Sequence, residues 1–213
     1  MSKKTLSILG DSISTFQDYI PDQYAVFYPR EGYDVKQVDQ TWWKLVMDQS
    51  GLELFTNNSY SGSRVSETGI RPLWSAFISE RRQKCLGGDI IIVFGGTNDF
   101  GQMEFPTTLP IFRAAYGKLV SGMLERHSNS SLYFCTPIQR TDRKPDKPNI
   151  HGWTQLDMAQ TIRDCVSQYG KAHLIDLASY PITEGDGLLQ DGLHPTIKGM
   201  QMIGDRVMDS LKL

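Results

Sequence analysis

Ile90-Ile91-Ile92-Val93-Phe94-Gly95-Gly96-Thr97-Asn98-Asp99 opens with five consecutive apolar residues and closes on paired glycines and a polar cluster. Unbroken apolar character over strand length, mostly β-branched, suits a parallel strand covered on both faces. Four further runs of strand length lie at residues 6–9, 52–55, 132–135 and 172–175. Helical patterns separate them. Residues 42–49 start after Thr41, a plausible N-cap, and stop before Gly51. Residues 72–84 carry Pro72 in a first-turn position and predict Leu73, Phe77 and Ile78 on a shared side.

Residues 109–126 repeat apolar side chains at Phe112, Tyr116, Leu119 and Met123, and 154–169 do so at Leu156, Ala159, Ile162 and Val166. A last helix over 196–211 carries Ile197, Met200, Ile203, Val207 and Leu211, with Gly199 and Gly204 implying close packing. Strands alternating with helices, and no hairpin pattern, predict an α/β fold: a three-layer α/β/α sandwich around a mainly parallel five-stranded sheet. Right-handed crossovers then place every strand's C-terminal end on one edge, where sites form in such sheets. No repeat and no linker-like composition interrupts the chain, so residues 1–213 read as a single domain.

Composition narrows the function. A chain of 213 residues with 39% hydrophobic content has enough for a sizeable core. Its 22 basic and 24 acidic residues leave a formal net charge of -2, which offers no electrostatic footprint for nucleic acid or an anionic membrane surface. Cys85, Cys135 and Cys165 are too few and too widely spaced for a disulfide framework or a zinc knuckle, and read as buried free thiols in a reducing compartment. The first apolar run follows Lys3-Lys4 and is too short for a signal-peptide core, so the expected location is cytoplasmic.

Two segments break the rhythm of strand and helix. Residues 13–40 hold Phe16, Tyr19, Tyr24, Phe27, Tyr28 and Tyr33 among polar residues. They read either as a loop pinned by its aromatic rings or as the wall of a pocket. Residues 136–152 place Arg140, Arg143, Lys144 and Lys147 between prolines, as a solvated loop or the rim of an anion site.

Of four histidines, His194 has the most informative surroundings, Asp191-Gly192-Leu193-His194-Pro195. An Asp three residues before a His, across a Gly-containing turn, can hold Nδ1 and leave Nε2 outward as a base. Alone, that spacing is common by chance. Gly10-Asp11-Ser12 directly follows the first strand; Asp11 reads as a turn or cap residue whose side chain accepts a backbone N–H, and Ser12 as either a cap at an ordinary turn or a nucleophile at the sheet edge. Asn57-Asn58-Ser59-Tyr60-Ser61-Gly62-Ser63 follows the second strand and Gly95 to Asp99 the third. Each reads as a turn or, with its backbone N–H and Asn side chains, as donors to a developing oxyanion.

Together these four blocks resemble the SGNH hydrolase superfamily, the GDSL-type esterases and lipases. Gly10-Asp11-Ser12 matches the first block of the family, Gly62 the glycine of the second, Gly96-Thr97-Asn98-Asp99 the third, and Asp191-Gly192-Leu193-His194 the last. Ile13 stands where the family name has leucine, which leaves the reacting groups unchanged. The resemblance implies a flavodoxin-like SGNH hydrolase fold and an ester-hydrolysing enzyme acting on a small-molecule ester, with no cofactor and no metal. It further implies Ser12 as nucleophile, His194 as base, Asp191 as its orienting carboxylate, and Ser12, Gly62 and Asn98 as oxyanion donors. A short acyl group, with O-acetyl on a carbohydrate foremost, is the expected substrate. Acyl transfer or thioester cleavage by the same triad, and a non-catalytic carbohydrate-binding domain, are the alternatives.

Overall fold

A computed structural model describes residues 3–102 and 107–212. Five strands form one parallel sheet: β1 (Thr5–Gly10), β2 (Glu53–Asn57), β3 (Ile90–Phe94), β4 (Ser131–Cys135) and β5 (Ala172–Ile175). Their order, β2-β1-β3-β4-β5, is that of flavodoxin-type doubly wound sheets, with the topological switch point between β1 and β3. β1 and β3 run in register from Leu6 opposite Ile90 to Gly10 opposite Phe94, so the two strands end side by side.

Strand residues alternate between two cores. Leu6, Ile8, Ile90, Ile92, Phe94, Tyr133 and Ile175 face α1 (Trp42–Ser50) and α6 (Ile197–Ser210). Leu9, Ile91, Val93, Leu132 and Phe134 face α4 (Leu109–Arg126) and α5 (Gln155–Ser167). The three-layer sandwich follows from this alternation, because the central strands have an apolar side chain for each helical layer.

Several elements match their sequence patterns closely. β3, β5 and α4 have the expected bounds. α5 is nucleated by a capping box, in which Thr154 accepts from the Asp157 N–H and Asp157 accepts from the Thr154 N–H. Gly199 and Gly204 are close-packing positions, as their placement in α6 implies: a Cβ at Gly199 would lie 2.1 Å from the Leu188 carbonyl oxygen, and one at Gly204 3.3 Å from that of Trp42.

Other expectations are corrected. The helix predicted over 72–84 does not form. A 3-10 turn at Leu73–Ser75 and a single helical turn, α2 (Glu80–Gln83), flank a turn at Phe77-Ile78 instead. The Phe77 and Ile78 N–H groups donate to the Arg64 and Val65 carbonyls, and these long-range bonds displace the local ones a helix needs. Leu73 is consequently exposed while Phe77 is buried. Leu156 and Ile197 begin their helices on the solvent side, so the buried stripes start one turn later, at Met158-Ala159 and Met200. Thr41 flanks α1 without capping it, since its hydroxyl donates to the Val38 carbonyl. Cys135 and Cys165 are buried, but Cys85 is exposed. No helix among the described residues is long and apolar enough to cross a membrane.

Candidate active site

β1 ends at Gly10, where a Cβ would come within 2.6 Å of Ser14 and Ser59, so only glycine lets the next two loops meet there. Asp11 then caps a 3-10 turn, Ser12–Ser14, by accepting from the Ile13 N–H at 3.1 Å. This is the capping role that the block offers Asp11, and Ser12 is not the cap. Ser12 is left free to turn inward. Burial pushes the Asp11 carboxyl up to about 7, against the opposing pull of the Ile13 N–H and the Arg82 charge.

His194 reaches Ser12 from the far end of the chain. Its Nε2 lies 3.0 Å from Ser12 Oγ and its Nδ1 2.8 Å from Asp191 Oδ2. Asp191 Oδ1 accepts from the Leu193 and His194 N–H groups at 3.0 and 2.7 Å, which closes the turn and aims the second oxygen at the ring. Burial works against the Asp191 carboxylate, but those hydrogen bonds, the imidazole and Tyr33 hold it at about 2. An ionised carboxylate only accepts, so Nδ1 carries the proton and Nε2 is free to accept from the serine hydroxyl. Burial lowers the His194 pKa below the ordinary imidazole value; Asp191 opposes that shift, and Arg140 and Arg30 reinforce it.

The aromatic segment belongs to this site. Phe27 stacks on the His194 ring at 3.6 Å between centroids and 9° between planes. The Tyr33 hydroxyl donates to Asp191 Oδ2 at 2.8 Å, sharing the oxygen that receives Nδ1, and the Tyr28 hydroxyl donates to the Pro195 carbonyl at 2.9 Å. Phe16, Tyr24, Phe27 and Tyr28 are buried, as a loop pinned by its rings would have them, and Phe27 and Tyr33 in addition touch His194 and Asp191. In the basic loop, Arg140 is buried and forms a two-pronged pair with Asp142 at 2.9 and 2.6 Å, while the Thr141 N–H donates to the Gly192 carbonyl. Arg140 therefore braces the His194 turn and is no open rim residue.

Gly62 and Asn98 converge from the loops after β2 and β3. Gly62 has φ +80°, a left-handed conformation that favours glycine. Neither its N–H nor that of Ser12 donates to any described residue. Asn98 sits on a short helix the sequence patterns did not predict, α3 (Thr97–Gly101), which follows Gly96 at the tip of β3. Its Nδ2 donates to the Ser63 carbonyl at 3.0 Å, which leaves the second N–H of that amide available. The five residues singled out in the sequence thus lie at the ends of β1, β2 and β3 and on the turn before α6.

Three side chains that hold this arrangement were not singled out. Gln102 Nε2 donates to the Gly62 carbonyl at 2.9 Å and to Asn98 Oδ1 at 3.2 Å, tying the two together. Asp99 is fully buried and accepts from the Val65 and Ser66 N–H groups and the Ser66 hydroxyl, although burial pushes its carboxyl up to about 6. Arg82 is fully buried and donates to the Gly10, Asn58 and Ser75 carbonyls, to Asn58 Oδ1 and to Ser63 Oγ. It sits in Glu80-Arg81-Arg82-Gln83, within the stretch 72–84 whose pattern predicts a helix. Nothing local distinguishes it from its exposed neighbour Arg81. Among the described residues no group of three His, Cys, Asp or Glu side chains is arranged to hold a metal ion.

Comparison with known proteins places the chain in a family. The family model described as GDSL-like Lipase/Acylhydrolase matches residues 4–211. A GDSL-like lipase from Bacteroides ovatus ATCC 8483 is 30% identical over 97% of both chains, with a TM-score of 0.73. Another from Bacteroides uniformis ATCC 8492 is 28% identical over 99% of this chain and 96% of that one, with a TM-score of 0.74. Est24, a carbohydrate acetylesterase from Sinorhizobium meliloti, shares the fold at 16% identity over 97% of both chains, with a TM-score of 0.71. A search of curated proteins finds no match. With the match running from strand β1 to the end of helix α6, the chain belongs to the GDSL-like lipase/acylhydrolase family and is a hydrolase acting on esters.

Proposed function

We propose that the protein is a serine esterase in which Ser12, His194 and Asp191 form the catalytic triad, acting on a short acyl ester of a polar alcohol, foremost an O-acetylated carbohydrate. The observation that carries this reading is the unbroken chain of contacts from Asp191 Oδ2 through His194 to Ser12 Oγ, at 2.8 and 3.0 Å. Ser12 Oγ attacks the ester carbonyl as its proton passes to His194 Nε2. Asp191 stabilises the imidazolium and keeps the tautomer fixed. The Ser12 and Gly62 N–H groups and the free Asn98 N–H receive the negative charge that grows on the carbonyl oxygen. His194 then protonates the departing alcohol. Water attacks the acyl-enzyme by the reverse route and releases the acid.

The alcohol side is drawn from the surroundings. The open guanidinium of Arg71 makes the surroundings of Gly62 polar, which suits a polar leaving group better than a long acyl chain. Est24, a protein of the same fold, is named a carbohydrate acetylesterase, which favours the same class. A serine-reactive organophosphonate is expected to modify Ser12 and abolish hydrolysis of 4-nitrophenyl acetate and acetylated sugars. An adduct mapped by mass spectrometry to another serine, or full activity after labelling of Ser12, would overturn the triad. Products formed with competing alcohol or thiol acceptors separate hydrolysis from acyl transfer.

Asn98→Ala tests the oxyanion arrangement. Removal of one preorganised donor costs about 3 kcal/mol in the transition state, so kcat is expected to fall about a hundredfold with little change in KM. If Asn98 merely caps its turn through Ser63 and Gln102, the variant loses melting temperature and keeps kcat. Measuring both quantities on one preparation distinguishes the two.

A further inference from the structure

Most buried polar side chains near Gly62 have internal partners. Arg64 donates to Gln102, Thr68 and Thr107, Arg82 is saturated by backbone and side-chain acceptors, and Arg140 is locked to Asp142. Arg71 differs. Its guanidinium lies directly against the Cα of Gly62: a Cβ at that position would sit 2.9 Å from Arg71 Nε and 3.3 Å from Nη2. The same group rests over the Tyr60 ring at 5.6 Å from the centroid. It donates to no described residue, and no described carboxylate lies within 4 Å of it. A half-buried guanidinium therefore keeps all five donors open, beside the residue read as an oxyanion donor.

The support beneath Arg71 is stiff. Tyr60 packs with Tyr24 and Trp74, each pair of rings 5.2 to 5.4 Å apart. The Tyr60 N–H donates to the Gly10 carbonyl, and the Ser61 N–H donates to that of Ala25. Arg81 lies over the Trp74 ring at 4.4 Å, so the aromatic patch carries two positive charges without a described acidic partner within 4 Å. Stacking on an aromatic face orients the planar fork and reduces what a ligand must immobilise. A single fork of this kind matches one carboxylate, which it can take through two parallel hydrogen bonds.

We propose that Arg71 is a specificity-determining residue that binds a carboxylate on the substrate, so that the enzyme prefers esters carrying a carboxylate a few atoms from the scissile bond. The proposal rests on Ser12 being the nucleophile beside Gly62. The carboxylate belongs either to the acyl group or to the alcohol, and paired substrates separate the two. On the acyl side, 4-nitrophenyl hemisuccinate is compared with its neutral methyl ester. On the alcohol side, 3-acetoxybenzoate is compared with 3-acetoxybenzamide.

The readout is the ratio of kcat/KM for the charged substrate to that for its neutral partner. In the wild-type enzyme one pair is expected to favour the charged ester by about tenfold or more, the scale of a charge-assisted hydrogen bond, and added salt should shrink that preference. Arg71→Met should bring the ratio near one, while Arg71→Lys keeps part of it. Because both substrates of a pair share the reaction, general damage to the Gly62 loop lowers both rates and leaves the ratio alone. Wild-type ratios near one in both pairs overturn the proposal, as does a preference that survives Arg71→Met. The wild-type ratios and their salt dependence decide it even if the methionine variant does not fold. Failure of the wild-type protein to hydrolyse any of the four esters, with Ser12 inert to an organophosphonate, overturns the triad as well. Hydrolysis without charge preference overturns only the role of Arg71.

Discussion

His194→Ala is expected to lower kcat by about four orders of magnitude or more while leaving the melting temperature close to that of the wild type. The magnitude follows from the way triad members act as one unit, so loss of the base removes most of the nucleophilic contribution. Asp191→Asn should cost less than loss of the base, because the ring keeps its nitrogen and loses its orienting charge. The same residue sets the pH profile. His194 must be neutral at Nε2 to accept the serine proton, and burial lowers its pKa from the ordinary imidazole value. The acid limb of kcat/KM is therefore expected below about pH 6.5, the unperturbed imidazole value, with full activity above it. A stopped-flow or steady-state profile from pH 4 to 8 with a neutral ester checks this. A flat profile with chemistry rate-limiting would sink the base assignment.

Arg82→Met should be the most destabilising single change at the site. The methionine fills much of the volume but supplies no donor, leaving the Gly10, Asn58 and Ser75 carbonyls and the Asn58 and Ser63 side chains without one of their partners. Removing one partner of a buried charged network typically costs about 3–5 kcal/mol. For a chain of this size that is a fall in melting temperature of about 10 °C. Burial lowers the Arg82 pKa only to about 10, so the group stays charged at neutral pH and donates throughout the working range. Because Arg82 clamps the ends of β1 and β2 to Ser63 and Ser75, surviving folded protein should also show reduced kcat. Denaturant titration and calorimetry measure the loss; a change below 1 kcal/mol, about the effect of a surface substitution, would contradict the role given to Arg82.

Central strands and amphipathic helices were legible from residue order because their information is local. β3 is five apolar residues in a row, and the apolar pattern of α4 was visible at spacings of three and four. Asp191 and His194 were legible for the same reason: an Asx-type turn three residues long sets their contact, and the structure closes it through two backbone N–H groups. What only the tertiary structure decided lies where a distant partner outbids a local one. Residues 72–84 have a helical pattern, yet bonds to Arg64 and Val65 unwind them. Arg81 and Arg82 look alike as sequence, and one is exposed while the other is sealed among carbonyls contributed by Gly10, Asn58 and Ser75. Phe27 on His194 and Gln102 on Gly62 are likewise contacts between separate loops, and Arg71 folds back on Gly62 within the long connection after β2. Periodicity reports which face of an element is buried; it carries no information about which loop from elsewhere will meet a given side chain, and that meeting determines the surroundings of the site.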